Sequence, residues 1–246
     1  VSEDCWQATP GKVVDLVRNL GIAAGGTVME DCRVLEACRE GKYTSVLVQT
    51  HDKKYVEYRT EHFVNALGSG AGKLCDSMGI DAGLYPVRHQ AFITRRLPML
   101  GKHGTNLDML IDRQDYKGFS AVYGQQIAYT GQIIGCASPK LDAMRIDKNL
   151  KVNTKAFLEI VSEMFSEWIP DLAGVGIQAV WAGYYTEPRY IVDPELGLFV
   201  GMRGHGFMLS QYIARMYVDK LLGRPVPEYF EKLKLNGPGL SEKAFK

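Results

Sequence analysis

An α+β fold is the expectation for this chain, and three observations carry it. Short Val-, Thr- and Tyr-rich runs recur along it, broken by turn residues, as antiparallel strands require. Only a few segments carry helical periodicity, and they do not alternate with the strands as a doubly wound sheet demands. The chain has 246 residues, 46% of them hydrophobic and 23% charged. That is enough apolar material for the core of one large or two small domains.

The first helix is expected at "TPGKVVDLVRNLGIAAGG". Thr9 stands at a capping position and Pro10 suits the first helical residue. Val13, Leu16, Val17 and Leu20 share one face, and Gly25-Gly26 stops the run. Strands are expected next at "TVMED", "RVLEACR", "TSVLVQT", "KYVEYRT" and "HFVNAL", with a short helix over residues 71–78. "VRHQAFITRR", "LDMLIDR", "GFSAVYG", "QQIAYTG" and "QIIGCAS" read as a second run of antiparallel strands. "NTKAFLEIVSEMFSEWI" then gives the clearest amphipathic helix, with Phe157, Ile160, Val161, Met164, Phe165 and Trp168 on one stripe. Strands follow at "GVGIQAVWAGYYTE", "RYIVD" and "LGLFVGM". The last helix, "HGFMLSQYIARMYVDKLLG", ends at Gly223, and the Pro- and Lys-rich tail after it is expected to be partly mobile.

Composition excludes several classes. A formal net charge of +1, without a Lys/Arg block, leaves no electrostatic footprint for nucleic acid. No apolar run approaches the roughly 20 residues of a membrane-spanning helix. The start, "VSEDCWQATPGKVVD", has neither the basic nor the apolar region of a secretory signal. It also lacks an initiator Met, as expected of a processed or excised piece. Cys5, Cys32, Cys38, Cys75 and Cys136 are odd in number and form no C-x-x-C, so no disulfide framework or zinc site is expected. A reduced, cytoplasmic chain is the simplest expectation. The five histidines are scattered, without the spacing of a metal site.

Two glycine-rich stretches invite a ligand. In "FVNALGSGAGKLCDSMG", a G-x-G-x-x-G counted from Gly68 meets Lys73, and counted from Gly70 it meets Cys75. A Walker-type loop ending at Lys73 would need Gly at Leu67 and a hydroxyl residue at Leu74. Both motifs fail, leaving a strand-to-helix turn. In "LFVGMRGHGFMLSQYIAR", an apolar strand runs through Gly201, Gly204 and Gly206 straight into a helix. Such a junction turns unpaired backbone N–H groups and the positive helix end outward, where electron-rich groups are favoured. A tight connection with a solvent-exposed His205 fits the spacing equally well.

That junction resembles the C-terminal flavin-embracing motif of the D-amino-acid oxidase superfamily, which includes glycine and sarcosine oxidases. Three further segments resemble family motifs in the same order. "VNALGSGAGKLCDSMGI" is similar to V-N-A-A-G-x-W-A-x-x-L, "YPVRHQAFIT" to P-V-R-x-Q-x-x-x-T, and "WAGYYTEP" to W-A-G-x-x-x-x-T-P. Even the opening helix with its T-x-V run fits, so the resemblance covers nearly all of residues 1–223. It implies a mixed or antiparallel substrate-domain sheet flanked by helices, plus an incomplete FAD-binding domain. The implied boundaries are a partial FAD domain at 1–82, a substrate domain at 83–180, a return to the FAD domain at 181–223, and a tail at 224–246.

The implied cofactor is FAD. By resemblance the backbone of Met202, Arg203, Gly204, His205, Gly206, Phe207 and Met208 lines the isoalloxazine, Val34 faces the adenine, and Gly68 lies near the ADP portion. The implied activity is oxidation of the C–N bond of an amino acid or secondary amine by hydride transfer, with no catalytic side chain and no metal. The departures are specific. No G-x-G-x-x-G is present, so this chain alone is expected to hold little FAD, with the nucleotide-binding part on another segment, chain or subunit. Gly70 replaces the family's tryptophan, Met208 stands where sarcosine oxidases have lysine, and Ala182 removes a cysteine link to flavin. Tyr185 stands where glycine oxidase has its carboxylate-binding arginine, leaving Arg189 and Arg203 as the candidates to replace it beside Tyr185. The competing expectation is a non-catalytic docking or assembly module that binds no FAD by itself.

Overall fold

Period-two and period-3.6 apolar patterns sort this chain into sheets covered by helices, and the computed structural model describes residues 8–100, 107–112, 119–127, 130–139 and 154–239. In chain order the elements are α1 (Pro10–Ala23), β1 (Arg33–Glu40), β2 (Tyr43–Gln49), β3 (Tyr55–Thr60), α2 (Ala71–Ser77), β4 (Tyr85–Thr94), β5 (Leu110–Asp112), β6 (Phe119–Ile127) and β7 (Gln132–Pro139). They continue with α3 (Thr154–Trp168), β8 (Ile177–Glu187), β9 (Ile191–Asp193), β10 (Leu198–Val200) and α4 (Gly206–Leu221). The α+β class is observed. Among the described residues, β1-β2-β3 form one sheet, β10-β9 another, and β5-β6-β7-β4-β8 a third. Neighbouring strands within each sheet run antiparallel.

The five-stranded sheet has two unlike faces. Phe92, Val122, Ile133 and Ala137 point to one side and bury against Phe157, Ile160, Val161, Met164 and Phe165 of α3. Five of the six stripe residues are thus core. The sixth, Trp168, is partly buried, and its Nε1 donates to Asp112 Oδ2 at 3.4 Å. Directly opposed residues of an antiparallel pair share a face. The register Ala91 opposite Cys136 and Trp181, Cys136 opposite Tyr123, and Val87 opposite Tyr185 therefore puts Tyr123, Cys136, His89 and Tyr185 together on the other face.

The smaller sheets anchor the glycine turns. Asn65 makes a parallel bridge to Leu198. Its N–H donates to the Gly197 carbonyl at 2.8 Å and its carbonyl accepts from the Phe199 N–H at 3.0 Å. The Asn65 side chain reaches forward, donating to the Ala71 carbonyl at 3.0 Å and accepting from the Leu67 N–H. The stretch at Gly68–Gly70 is a single 3-10 turn leading into α2, a strand-to-helix turn.

Several elements differ from expectation, each for a local reason. Residues 27–31 form no strand, because Asp31 takes a left-handed φ of 54° that breaks the extended chain. Of "HFVNAL", only Asn65 pairs. The two strands expected across residues 118–131 are one strand, β6, because Gly124 stays in the pleat opposite Gly135. Thr9 sits at the N-cap of α1 without a side-chain capping bond, and Leu16, Val17 and Leu20 are exposed. The tail is packed rather than loose as far as residue 239. A 3-10 helix at Glu228–Leu233 buries Phe230 and Leu233 against Tyr190, Val192, Ile213, Met216 and Tyr217.

The α3 contact makes a direct prediction. Phe157 is fully buried, so Phe157→Ala should destabilise the fold by about 3–5 kcal/mol in chemical denaturation. A loss below about 1 kcal/mol would place the stripe in solvent.

Candidate functional site

The site begins where β10 ends. Gly201 has φ +72°, and a Cβ there would stand 1.9 Å from the Arg189 carbonyl oxygen, so no other residue fits. The chain then passes through a 3-10 turn at Arg203–His205 and enters α4 at Gly206 without a side-chain cap. The backbone N–H groups of Gly206, Phe207 and Met208 precede the i→i−4 ladder of α4 itself. They carry the positive end of the helix dipole. This edge is open: Gly204 is exposed, and Phe207 and Met208 keep 46% and 68% of their surface.

Arg203 holds the turn in shape. Its φ of 49° is left-handed, a conformation costing a non-glycine residue roughly 1–3 kcal/mol. The cost is offset by Glu187 at the end of β8, whose Oε2 accepts from Arg203 Nε at 2.5 Å with both side chains mostly buried. His205 is held from behind: Tyr190, itself buried, shares a hydrogen bond at 2.5 Å between its hydroxyl and His205 Nδ1. The ring is therefore half-buried and oriented, rather than a solvent-facing helix start.

The sheet supplies the opposite wall. The Tyr185 ring meets the turn at Gly204, where an added Cβ would lie 2.8 Å from Tyr185 Cε2. On its other side Tyr185 stacks on His89, with centroids 3.7 Å apart and planes 26° apart. Its hydroxyl is 3.5 Å from that of Tyr123, which stands opposite Cys136 in the strand register.

Burial makes this cluster neutral. It pushes the Tyr123 and Tyr185 phenols and the Cys136 thiol upward. It also pulls His89 down to about 4, with the charge of Arg203 adding to the effect. The local cation, Arg203, is matched by Glu187.

The other expected residues fall elsewhere. Arg189 donates from Nη1 to the Gly237 carbonyl at 2.9 Å and from Nη2 to that of Leu235, so its guanidinium fastens the tail. Val34 lies beside a register shift in β1, packed near Ala37, Val46, Val48 and Leu74. Gly68 opens the 3-10 turn before α2 with φ +55°. That turn and the turn at Arg203–His205 both lie against β8.

A family model described as FAD dependent oxidoreductase (DAO) matches residues 1–220. The chain belongs to this family. Solved structures agree in fold. Glycine oxidase from Geobacillus kaustophilus superposes with a TM-score of 0.66 at 17% identity, over 87% of this chain and 54% of its own. Iminodiacetate oxidase from Chelativorans sp. BNC1 gives 0.67 at 15% identity, over 93% and 58%. NikD, an amino acid oxidase of nikkomycin biosynthesis, gives 0.66 at 16%, over 88% and 57%. The chain thus spans somewhat over half the length of each. No curated protein matches. Among the described residues, no helix is long and apolar enough to cross a membrane.

The turn of this DAO-family chain fits the cofactor its family uses. A flavin carries electron-rich nitrogen and oxygen atoms along one edge of a flat ring, and the positive end of a helix suits such an edge. The start of α4 at Gly206 offers that positive end, with Gly204 exposed beside it. The sequence flagged this turn and Tyr185. It did not flag His89, Tyr123, Cys136 or Glu187 as site residues, because only strand register brings them together. The available signal was the alternation Val87, His89, Ala91 on β4, opposite Tyr185 and Trp181.

His89 links this site to pH. Its folded value near 4 lies below the ordinary 6.5, so the fold favours neutral imidazole. The stabilisation is complete above pH 6.5 and is lost as the pH falls toward 4, up to about 3 kcal/mol. In urea denaturation His89→Phe should lose less stability than wild type between pH 7 and pH 4. Parallel losses would contradict the assignment.

Proposed function

We propose that this chain is the substrate-binding and flavin-facing part of an FAD-dependent enzyme that oxidises the C–N bond of an amino acid or secondary amine. One observation carries the reading. The glycine turn that suits the flavin and the aromatic face of the five-stranded sheet meet where Gly204 packs on Tyr185. A substrate lying over that sheet face is thereby brought to the edge at residues 202–208.

FAD, when bound, would supply the hydride-accepting chemistry toward the substrate α-carbon. The rest is the work of this chain. The backbone from Met202 to Met208, with its glycines, would hold the isoalloxazine edge, and the α4 dipole would favour the charge that edge gains on reduction. Val34 and Gly68 would serve the adenine and ADP portions. Tyr185 would bound the substrate, and Arg203 would carry its carboxylate while Glu187 keeps the guanidinium in place. No side chain is assigned as acid or base: an amine arriving neutral needs none, and the cluster beside it is neutral. Holding the reacting carbon in place is the protein's contribution to rate.

The alternative, a docking module without bound FAD, is supported by the exposed apolar residues of α1. Anaerobic titration of the flavin-loaded protein separates the two. Bleaching of the yellow absorbance by an amino acid or secondary amine is expected. A flavin-loaded protein that stays yellow with every such compound would contradict the enzyme reading.

The two arginines should separate by phenotype. Arg203→Ala should weaken carboxylate-bearing substrates and inhibitors by about 2–5 kcal/mol while sparing a carboxylate-free amine. Arg189→Ala should lower the melting temperature through the tail and leave that discrimination intact. Steady-state kinetics with paired substrates, beside thermal melts, checks both. Arg203→Ala affecting both substrate types equally would remove it as the anchor.

A further inference from the structure

The inference rests on the substrate site proposed above at Tyr185 and Arg203, beside which stands a second aromatic ring, His89. His89 lies on β4 opposite Gly183, which has no side chain, so its neighbour on that face of β8 is the diagonal residue Tyr185. The two rings lie nearly parallel at 3.7 Å. His89 is buried to 9% exposure, and its Nδ1 is sealed from solvent without a hydrogen-bond partner. Leaving a ring nitrogen unsatisfied costs stability, so the imidazole is not kept here for a hydrogen bond at that atom. What it offers is a flat face of the right thickness. Tyr185 is then enclosed on three sides, by His89 beneath, Gly204 against its edge and the Tyr123 hydroxyl at its tip.

We propose that His89 is a positioning residue of the substrate site: its ring, flat against Tyr185, holds that phenol between the sheet and the glycine turn. It touches Tyr185 rather than the reacting atoms. Its influence on a substrate is therefore the fixed place of the Tyr185 ring and hydroxyl. Without it the phenol could swing into the space beneath, away from Gly204.

Two readouts test this on the full chain. In protein carrying ¹³C-labelled tyrosine, the Tyr185 ring resonances are identified by their loss in Tyr185→Phe. They should shift in His89→Ala and in His89→Leu, which restores bulk without a flat face, and return near the wild-type position in His89→Phe. In the flavin-loaded enzyme the same non-aromatic variants should raise KM and inhibitor Kd by roughly three- to tenfold, the range a lost aromatic stack allows, with kcat nearly unchanged. His89→Phe should restore both constants. Tyr185 resonances that ignore His89→Leu would overturn the proposal, as would a loss confined to kcat or one that phenylalanine does not rescue. If the wild-type protein oxidises no amine, the functional reading fails, while the resonances still decide the role of His89.

Discussion

The packing of Tyr185 on Gly204 is the contact on which the rest of the site depends. On one side stands a sheet whose far face is bolted to α3 by five buried apolar residues of that helix. On the other stands a turn held open by three local devices. Gly201 leaves room for the Arg189 carbonyl where no Cβ could stand, Glu187 holds Arg203 in a left-handed conformation, and Tyr190 grips His205. Tyr185 and Glu187 are two residues apart on β8, so one strand both meets the turn and ties it down. The start of α4 and the aromatic face of the sheet are therefore set relative to each other by rigid parts, as a precise site requires.

The two arginines show how chemistry at one strand end is divided. Arg189 and Arg203 flank the same region, and residue type alone assigns a carboxylate to either. Geometry separates them, because the Arg189 guanidinium is committed to the carbonyls of Leu235 and Gly237. It converts the segment after α4 from a loose tail into a packed strap over Tyr190 and Val192. Arg203 points instead toward the polar end of β8, paired with Glu187 beside the Tyr185–His89 stack.

Much of this was legible in the amino-acid order. The helices α1, α3 and α4, and strands β4 and β8, carry strong periodicity or clear stop signals, and each forms where expected. Local pattern failed where a single backbone angle or tertiary contact decides. Asp31 at φ 54° ends an otherwise extended run, Gly124 continues a strand it was expected to break, and Phe230 and Leu233 find a pocket that their own segment does not announce. At the site, the glycine turn was legible because backbone constraints leave glycines behind. His89, Tyr123, Cys136 and Glu187 were not, since register across four strands is a non-local property.

The sheet and the turn are coupled through Tyr185, and a double-mutant cycle reads that coupling most directly. Gly204→Ala is measured by denaturant unfolding once with Tyr185 present and once in a Tyr185→Ala background. A methyl group pressed into a ring that His89 prevents from retreating should cost about 1–3 kcal/mol in the first case. With the ring removed the cost should largely vanish, giving a coupling energy above about 0.5 kcal/mol. Equal costs in the two backgrounds would mean that the turn does not rest on Tyr185, and the site as described would not hold together.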